Sequence, residues 1–186
     1  MVTASLLTEA ENRMKKALEA MKREMNNIRT GRATPALIEG VGIDYYGVTT
    51  PLNQLGTITA PEARLLVVQP WDRSALPAIE KGILRANLGL NPSSDGVVVR
   101  IPIPQPTEER RREYVKMAKR QAEEFKVEVR NIRRDLIEKL RAMEKNKEIS
   151  QDDNRRSQEH LQRITDSYVS QIDAVATAKE AEVMEV

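Results

Sequence analysis

The sequence predicts an α+β protein: an elongated three-helix bundle into which a small β/α/β domain is inserted. Two observations carry this. All nine prolines and all eight glycines of the 186 residues lie between positions 31 and 106, and both flanks carry apolar residues at helical spacing. Gly costs about 1 and Pro about 3 kcal/mol in a helix interior, so the breaker-free flanks are free to be helical. Composition adds a third, because 31% charged and 3% aromatic residues suit solvated helices and exclude a large aromatic core.

In the first flank Leu7, Ala10, Met14, Ala17, Met21 and Ile28, with Leu18 and Met25, recur at three and four. That stripe predicts one amphipathic helix over 4–28. In the middle zone, 41–45 and 48–50 flank Tyr46-Gly47 as a hairpin, and 57–60 and 65–69 read as further strands. Residues 74–86 suit a short helix with Pro77 in its first turn. Ser94-Asp95-Gly96 is a turn before a last strand at 97–101. After Pro106, Thr107 is an N-cap candidate and Glu108 and Glu109 favour the first-turn dipole. The stripe from Val115 through Ala118, Ala122, Phe125, Val129, Ile132, Leu136 and Leu140 to Met143 then gives a helix of about 38 residues, about 57 Å long. Ser150 and Asp153 form a capping box for the last helix, whose stripe is Leu161, Ile164, Tyr168, Ile172, Val175 and Val183.

Three one-sided helices bury their faces by packing together. The domains are therefore expected as 1–30 with 107–186 for the bundle and 31–106 for the insertion. Two crossings join them, Thr30-Gly31-Arg32 outward and Pro102, Pro104 and Pro106 on a stiff, extended return. Gly31 fits either a hinge or a C′ glycine ending the first helix.

Thirty basic and 28 acidic residues give a net charge of +2, so any basic footprint is local. Residues 31–106 are neutral overall, whereas 107–147 hold 14 basic and 9 acidic groups and 148–186 hold 4 and 9. With no Cys and one His, disulfide, thiolate, His-rich metal and triad chemistry have no material. Gly40-Val-Gly42 is followed by a hairpin rather than a helix, which makes it turn glycine and not a dinucleotide loop. Lys81-Gly82 reverses the order a phosphate loop needs. Asp44, Glu62, Asp72 and Asp95 are scattered singly, as turn caps are. No enzyme and no cofactor is expected. The longest apolar run, 65–68, is far too short for a membrane, and the N-terminus lacks a signal-peptide core, so a soluble cytoplasmic protein is expected.

The remaining chemistry lies on the long basic helix. Lys126, Arg130, Arg133, Arg134 and Arg141 share a sector beside the apolar stripe and could follow a phosphate backbone. The same spacing also fits a solvated face paired with Glu123, Asp135 and Glu138. An adaptor that binds protein helices through an exposed stripe is a second alternative.

Eight segments in order, Ile28-Arg-Thr-Gly-Arg-Ala-Thr-Pro35, Asp44-Tyr-Tyr-Gly47, Trp71-Asp-Arg-Ser74, Leu88-Gly-Leu-Asn-Pro92, Thr107-Glu-Glu-Arg-Arg111, Val129-Arg-Asn-Ile-Arg-Arg-Asp135, Lys147-Glu-Ile-Ser-Gln-Asp-Asp153 and Arg155-Arg-Ser157, resemble those of the ribosome recycling factor family. The resemblance implies an L-shaped monomer with the inserted domain on a hinge. It also implies an activity: with elongation factor G and GTP, splitting the post-termination ribosome from mRNA and tRNA. The bundle would lie against large-subunit rRNA across the A and P sites, and Arg29, Arg130 and Arg133 match arginines that touch it. Arg134 is added by helical spacing alone. The expected hinge residues are Gly31, Arg32, Pro102, Pro104 and Pro106.

Overall fold

Along the chain run α1 (Val2–Asn26), β1 (Gly42–Tyr45), β2 (Val48–Pro51), β3 (Gly56–Glu62), β4 (Leu65–Pro70), α2 (Leu76–Arg85), β5 (Ser93–Ser94), β6 (Val99–Pro102), α3 (Glu108–Lys145) and α4 (Gln151–Met184). This computed structural model describes residues 2–28 and 30–185. They form two compact units, one being Gly31–Thr107 and the other built from the chain on either side of it.

The three long helices bury the faces their spacing marks. Ala10, Met14, Ala17, Leu18, Met21 and Met25 of α1 join Ala118, Ala122, Phe125, Val129, Ile132 and Leu136 of α3 and Leu161, Ile164, Ile172 and Ala176 of α4 in one core. Ion pairs mark the register. Arg13 meets Asp135 at 3.0 Å and Glu9 meets Lys139 at 2.8 Å, so α1 runs antiparallel to α3. Lys119 with Glu180 and Lys126 with Asp173 make α4 antiparallel to α3 as well.

The α3–α4 connection is closed at both ends by local chemistry. The Glu148 amide donates to the Met143 carbonyl and the Lys147 amide to that of Glu144, both at 2.9 Å. This is a Schellman motif with Lys147 at φ 59° in the place glycine usually takes. Three residues on, Ser150 Oγ accepts from the Asp153 amide at 3.1 Å while Asp153 returns the contact, the capping box expected from the sequence.

In the second unit every strand pairing is antiparallel. β1 and β2 form a hairpin; β3, β4, β6 and β5 form a sheet in that order. Ile43, Leu66, Val68, Ile79, Ile83, Val99 and Ile101 fill a separate aliphatic core. The hairpin turn has Tyr46 at φ 50° and Gly47 at φ 78°, with Asp44 accepting from the Gly47 amide at 3.1 Å. Gly56 and Gly82 allow close approaches: a Cβ would come within 2.4 Å of the Gln69 carbonyl oxygen and of Ile43 Cδ1 respectively.

Several boundaries differ from the sequence expectation for identifiable reasons. The last strand starts at Val99 rather than at residue 97, because Asp95 Oδ1 captures the amides of Val97 and Val98, both at 2.9 Å. The two-residue β5 before that turn was not anticipated. β3 continues through Pro61 to Glu62, which a sheet edge tolerates because that edge needs no donor. Residues 73–75 form a 3-10 turn capped by Asp72, so α2 begins at Leu76, with Pro77 in its first turn.

Candidate functional site

The arginine cluster read from the sequence lies on one long helix, and the bundle sorts it into two groups. Arg130, Arg134 and Arg141 are exposed on α3 and make no ion pair or side-chain hydrogen bond among the described residues. Lys126 and Arg133 instead turn toward the α3–α4 seam. Lys126 is held at 2.7 Å from Asp173 and 2.8 Å from Glu123, and those contacts, Asp173 first, raise its pKa above the ordinary lysine value. Arg133 is half-buried; its Nη1 donates to Gln162 Oε1 and its Nε is buried without a partner. The sector expected beside the apolar stripe is thus divided: Lys126 and Arg133 lie nearer the core than Arg130, within reach of α4, and Lys126–Glu123 is the intrahelix pair that the solvated-face reading named. Arg29 lies outside the described residues.

Other basic groups of α3 are largely spent on carboxylates. Arg110 pairs with Glu113 at 2.9 Å, Arg112 with Glu108 at 2.5 Å and Lys119 with Glu180 at 3.7 Å. Asp135, weighed above as an intrahelix partner for the arginines, pairs with Arg13 of α1. The solvated-face reading thus loses one of its neutralising groups. The adaptor reading loses its surface, since Val129, Ile132 and Leu136 are at most 5% exposed.

The proposed hinge residues are shorter in free length than the sequence suggests. α1 ends at Asn26, so Gly31 is not its C′ residue; it holds φ +80°, and a Cβ there would lie 2.5 Å from Pro106 Cδ. Ala33 donates to the Ala63 carbonyl at 2.7 Å and Ile103 to that of Arg64 at 2.8 Å, which ties both strands to the β3–β4 turn. Pro102 is the last residue of β6, paired with Leu65, and therefore belongs to the sheet. Arg32, Pro104 and Pro106 lie outside regular structure, and Arg32 and Pro104 are exposed.

Three aspartates of the second unit, Asp44, Asp72 and Asp95, cap turns, whereas Glu62 lies at the end of β3 with no such contact among the described residues. Asp72 accepts from the Ser74 amide at 2.9 Å and from Tyr45 Oη at 2.8 Å, and these contacts, led by Ser74, hold its pKa below the ordinary value. Asp44 and Asp95 serve the turns already described. Among the described residues no group of His, Asp and Glu could hold a metal ion, and no helix is long and apolar enough to cross a membrane. Gln162 was not singled out from the sequence. Its role depends on the register between α3 and α4, which the period of either helix alone does not contain.

Comparison with known proteins agrees with this architecture over the whole chain. The family model for ribosome recycling factor matches residues 21–184. A ribosome-recycling factor from Moorella thermoacetica is 59% identical over 98% of this chain and 99% of its own, and one from Heliobacterium modesticaldum is 55% identical over 96% of each. Among solved structures, a solution structure of the ribosome recycling factor shares 45% identity with a TM-score of 0.73, covering 100% of this chain and 99% of that one. A second is described as models for the T. thermophilus ribosome recycling factor and the E. coli elongation factor G bound to the E. coli post-termination complex; it shares 43% identity with a TM-score of 0.63 over 100% of both chains. A buried three-helix bundle, a separate aliphatic-cored antiparallel unit and full-length relatives of one kind leave one conclusion: the chain belongs to the ribosome recycling factor family.

Proposed function

We propose that this chain binds the post-termination ribosome across the A and P sites, with α3 against large-subunit rRNA, and with elongation factor G and GTP splits it into subunits. The observation that carries the rRNA contact is the row Arg130, Arg134 and Arg141: three exposed guanidinium groups on one helix that no carboxylate of the described chain neutralises. Unpaired guanidinium groups at this spacing meet phosphates without first breaking internal ion pairs, and bidentate geometry suits them to it. Arg133 extends the row from the seam, and Arg29 is included from the family resemblance. Nucleotide hydrolysis is assigned to elongation factor G. The segments 30–32 and 104–107 are proposed as the places where the chain bends, Gly31 supplying the backbone freedom; Pro102 is withdrawn from that role by its place in β6.

The test uses purified post-termination ribosomes, with subunit splitting followed by light scattering. Splitting is expected only when the protein, elongation factor G and GTP are all present. Arg130→Ala is expected to weaken ribosome binding and to lower the log-log salt slope by about 0.7 to 0.9, one phosphate contact, with melting unchanged. Normal binding of Arg130→Ala at every salt concentration would refute the rRNA contact.

A further inference from the structure

We propose that Gln162 is a positioning residue that keeps the Arg133 guanidinium from being neutralised by Asp166, and so holds it ready for a phosphate. This rests on the docking of α3 on rRNA proposed above and names the residue that makes one of its contacts possible.

The seam between α3 and α4 has a regular register. Lys119 pairs with Glu180 at 3.7 Å, and one heptad on, Lys126 pairs with Asp173 at 2.7 Å. Each step of seven along α3 is matched by a step of seven back along α4. The next rung of that ladder is Arg133 opposite Asp166, a cation and a carboxylate. They form no ion pair. Instead Arg133 Nη1 donates to Gln162 Oε1, and Gln162 Nε2 donates to Asp166 Oδ1 at 2.8 Å.

Chemistry allows this chain of contacts only one direction. A guanidinium has donors and no acceptor, an ionised carboxylate has acceptors and no donor, and a primary amide carries both. Gln162, one helical turn before Asp166 on the same face of α4, therefore satisfies each ion with the half the other cannot use. Its amide satisfies both without bringing the charges into contact, so Arg133 retains an uncompensated positive charge. With Nε buried in the seam and one Nη1 hydrogen given to Gln162, the second Nη1 hydrogen and both on Nη2 have no partner in the described chain. A direct Arg133–Asp166 pair would be charge-assisted, and an incoming phosphate would first have to displace it. The first two rungs tie the helices together; the third is diverted from that use where α3 also carries exposed Arg130 and Arg134.

The experiment measures binding of the full-length protein to large ribosomal subunits over a salt series, with melting curves as a fold control. Gln162→Ala removes the spacer and lets Arg133 reach Asp166; binding is expected to weaken about five- to tenfold and the log-log slope to fall by about 0.7 to 0.9. Gln162→Glu, which keeps the side chain but offers Arg133 a carboxylate, is expected to give the same loss. Adding Asp166→Asn to Gln162→Ala restores both affinity and slope, a rescue that a purely structural role for Gln162 would not give. In an Arg133→Ala background Gln162→Ala changes nothing further. An unchanged slope in both Gln162 variants, or no rescue by Asp166→Asn, overturns the proposal while Arg133→Ala still binds weakly. Normal binding by Arg133→Ala itself would instead remove the docking reading on which the proposal rests.

Discussion

The two units bury the same kind of core and arrive at it by opposite means. In the bundle, Met14, Met21, Leu136 and Leu161 are fully buried along helices that contain no glycine or proline, and ion pairs join the helices in register. In the second unit Ile43, Leu66, Ile79 and Ile101 are just as buried, yet the backbone around them is directed by caps, positive-φ turns and glycine close approaches. Periodicity holds the first unit together and local backbone chemistry the second. The difference extends to charge: α3 carries Arg130, Arg134 and Arg141 exposed along one helix, whereas Asp44, Asp72 and Asp95 of the second unit accept from backbone amides of its own turns.

The comparison is broken most severely by emptying a core. Ile132→Ala, at a site 5% exposed, is expected to cost about 2 to 5 kcal/mol through lost burial and the cavity left behind, and Ile79→Ala a similar amount in the second unit. Urea unfolding reads both. A loss below about 0.5 kcal/mol for Ile132→Ala would place that residue on a surface and return the adaptor reading.

A single added methyl then separates the two means of construction. Gly56→Ala would put a Cβ 2.4 Å from the Gln69 carbonyl oxygen and 2.8 Å from Pro70 Cα, backbone atoms of the neighbouring strand that cannot swing aside. About 1 to 3 kcal/mol of destabilisation is expected from this overpacking. Gly40→Ala meets nothing within 4 Å and serves as the control. Equal stability of the two variants would show that β3 and β4 relax freely and that the close approach has no energetic weight.

The same contrast explains what was legible beforehand. A stripe such as Val129, Ile132 and Leu136 states its own burial, and Ser150 with Asp153 states the start of α4, so the helices could be placed from the residues alone. Tyr46-Gly47 was readable because Gly47 stands between two strand-like runs and takes positive φ readily; that Tyr46 also holds φ 50° was not. The start of β6 was not, since it depends on Asp95 reaching two amides downstream, nor was the α3–α4 turn, where Lys147 does what glycine usually does. At the candidate site, helical spacing found the arginines but not their surroundings. The partition of Lys126 and Arg133 into the seam depends on which α4 residues stand opposite, and that is a property of two helices packed together.

The smallest expected effect sharpens the point about seam charges. Lys126 has only 14% of its side chain exposed and is bound by Asp173 and Glu123, contacts that raise its pKa above the ordinary lysine value in the folded chain. A lysine whose folded pKa is raised adds stability that is fully present below its unfolded pKa and is lost as pH climbs through the folded one. The window in which the term disappears therefore lies above the ordinary lysine range, with no change expected near neutrality. Lys126→Met keeps the apolar stem and removes the charge. The stability gap between the native chain and Lys126→Met, measured by urea unfolding, is expected to be constant near neutral pH and to shrink at strongly alkaline pH. A gap that stays constant through that range would mean the stem alone supports the seam, and the ladder from Lys119 to Arg133 would then set register by packing rather than by charge.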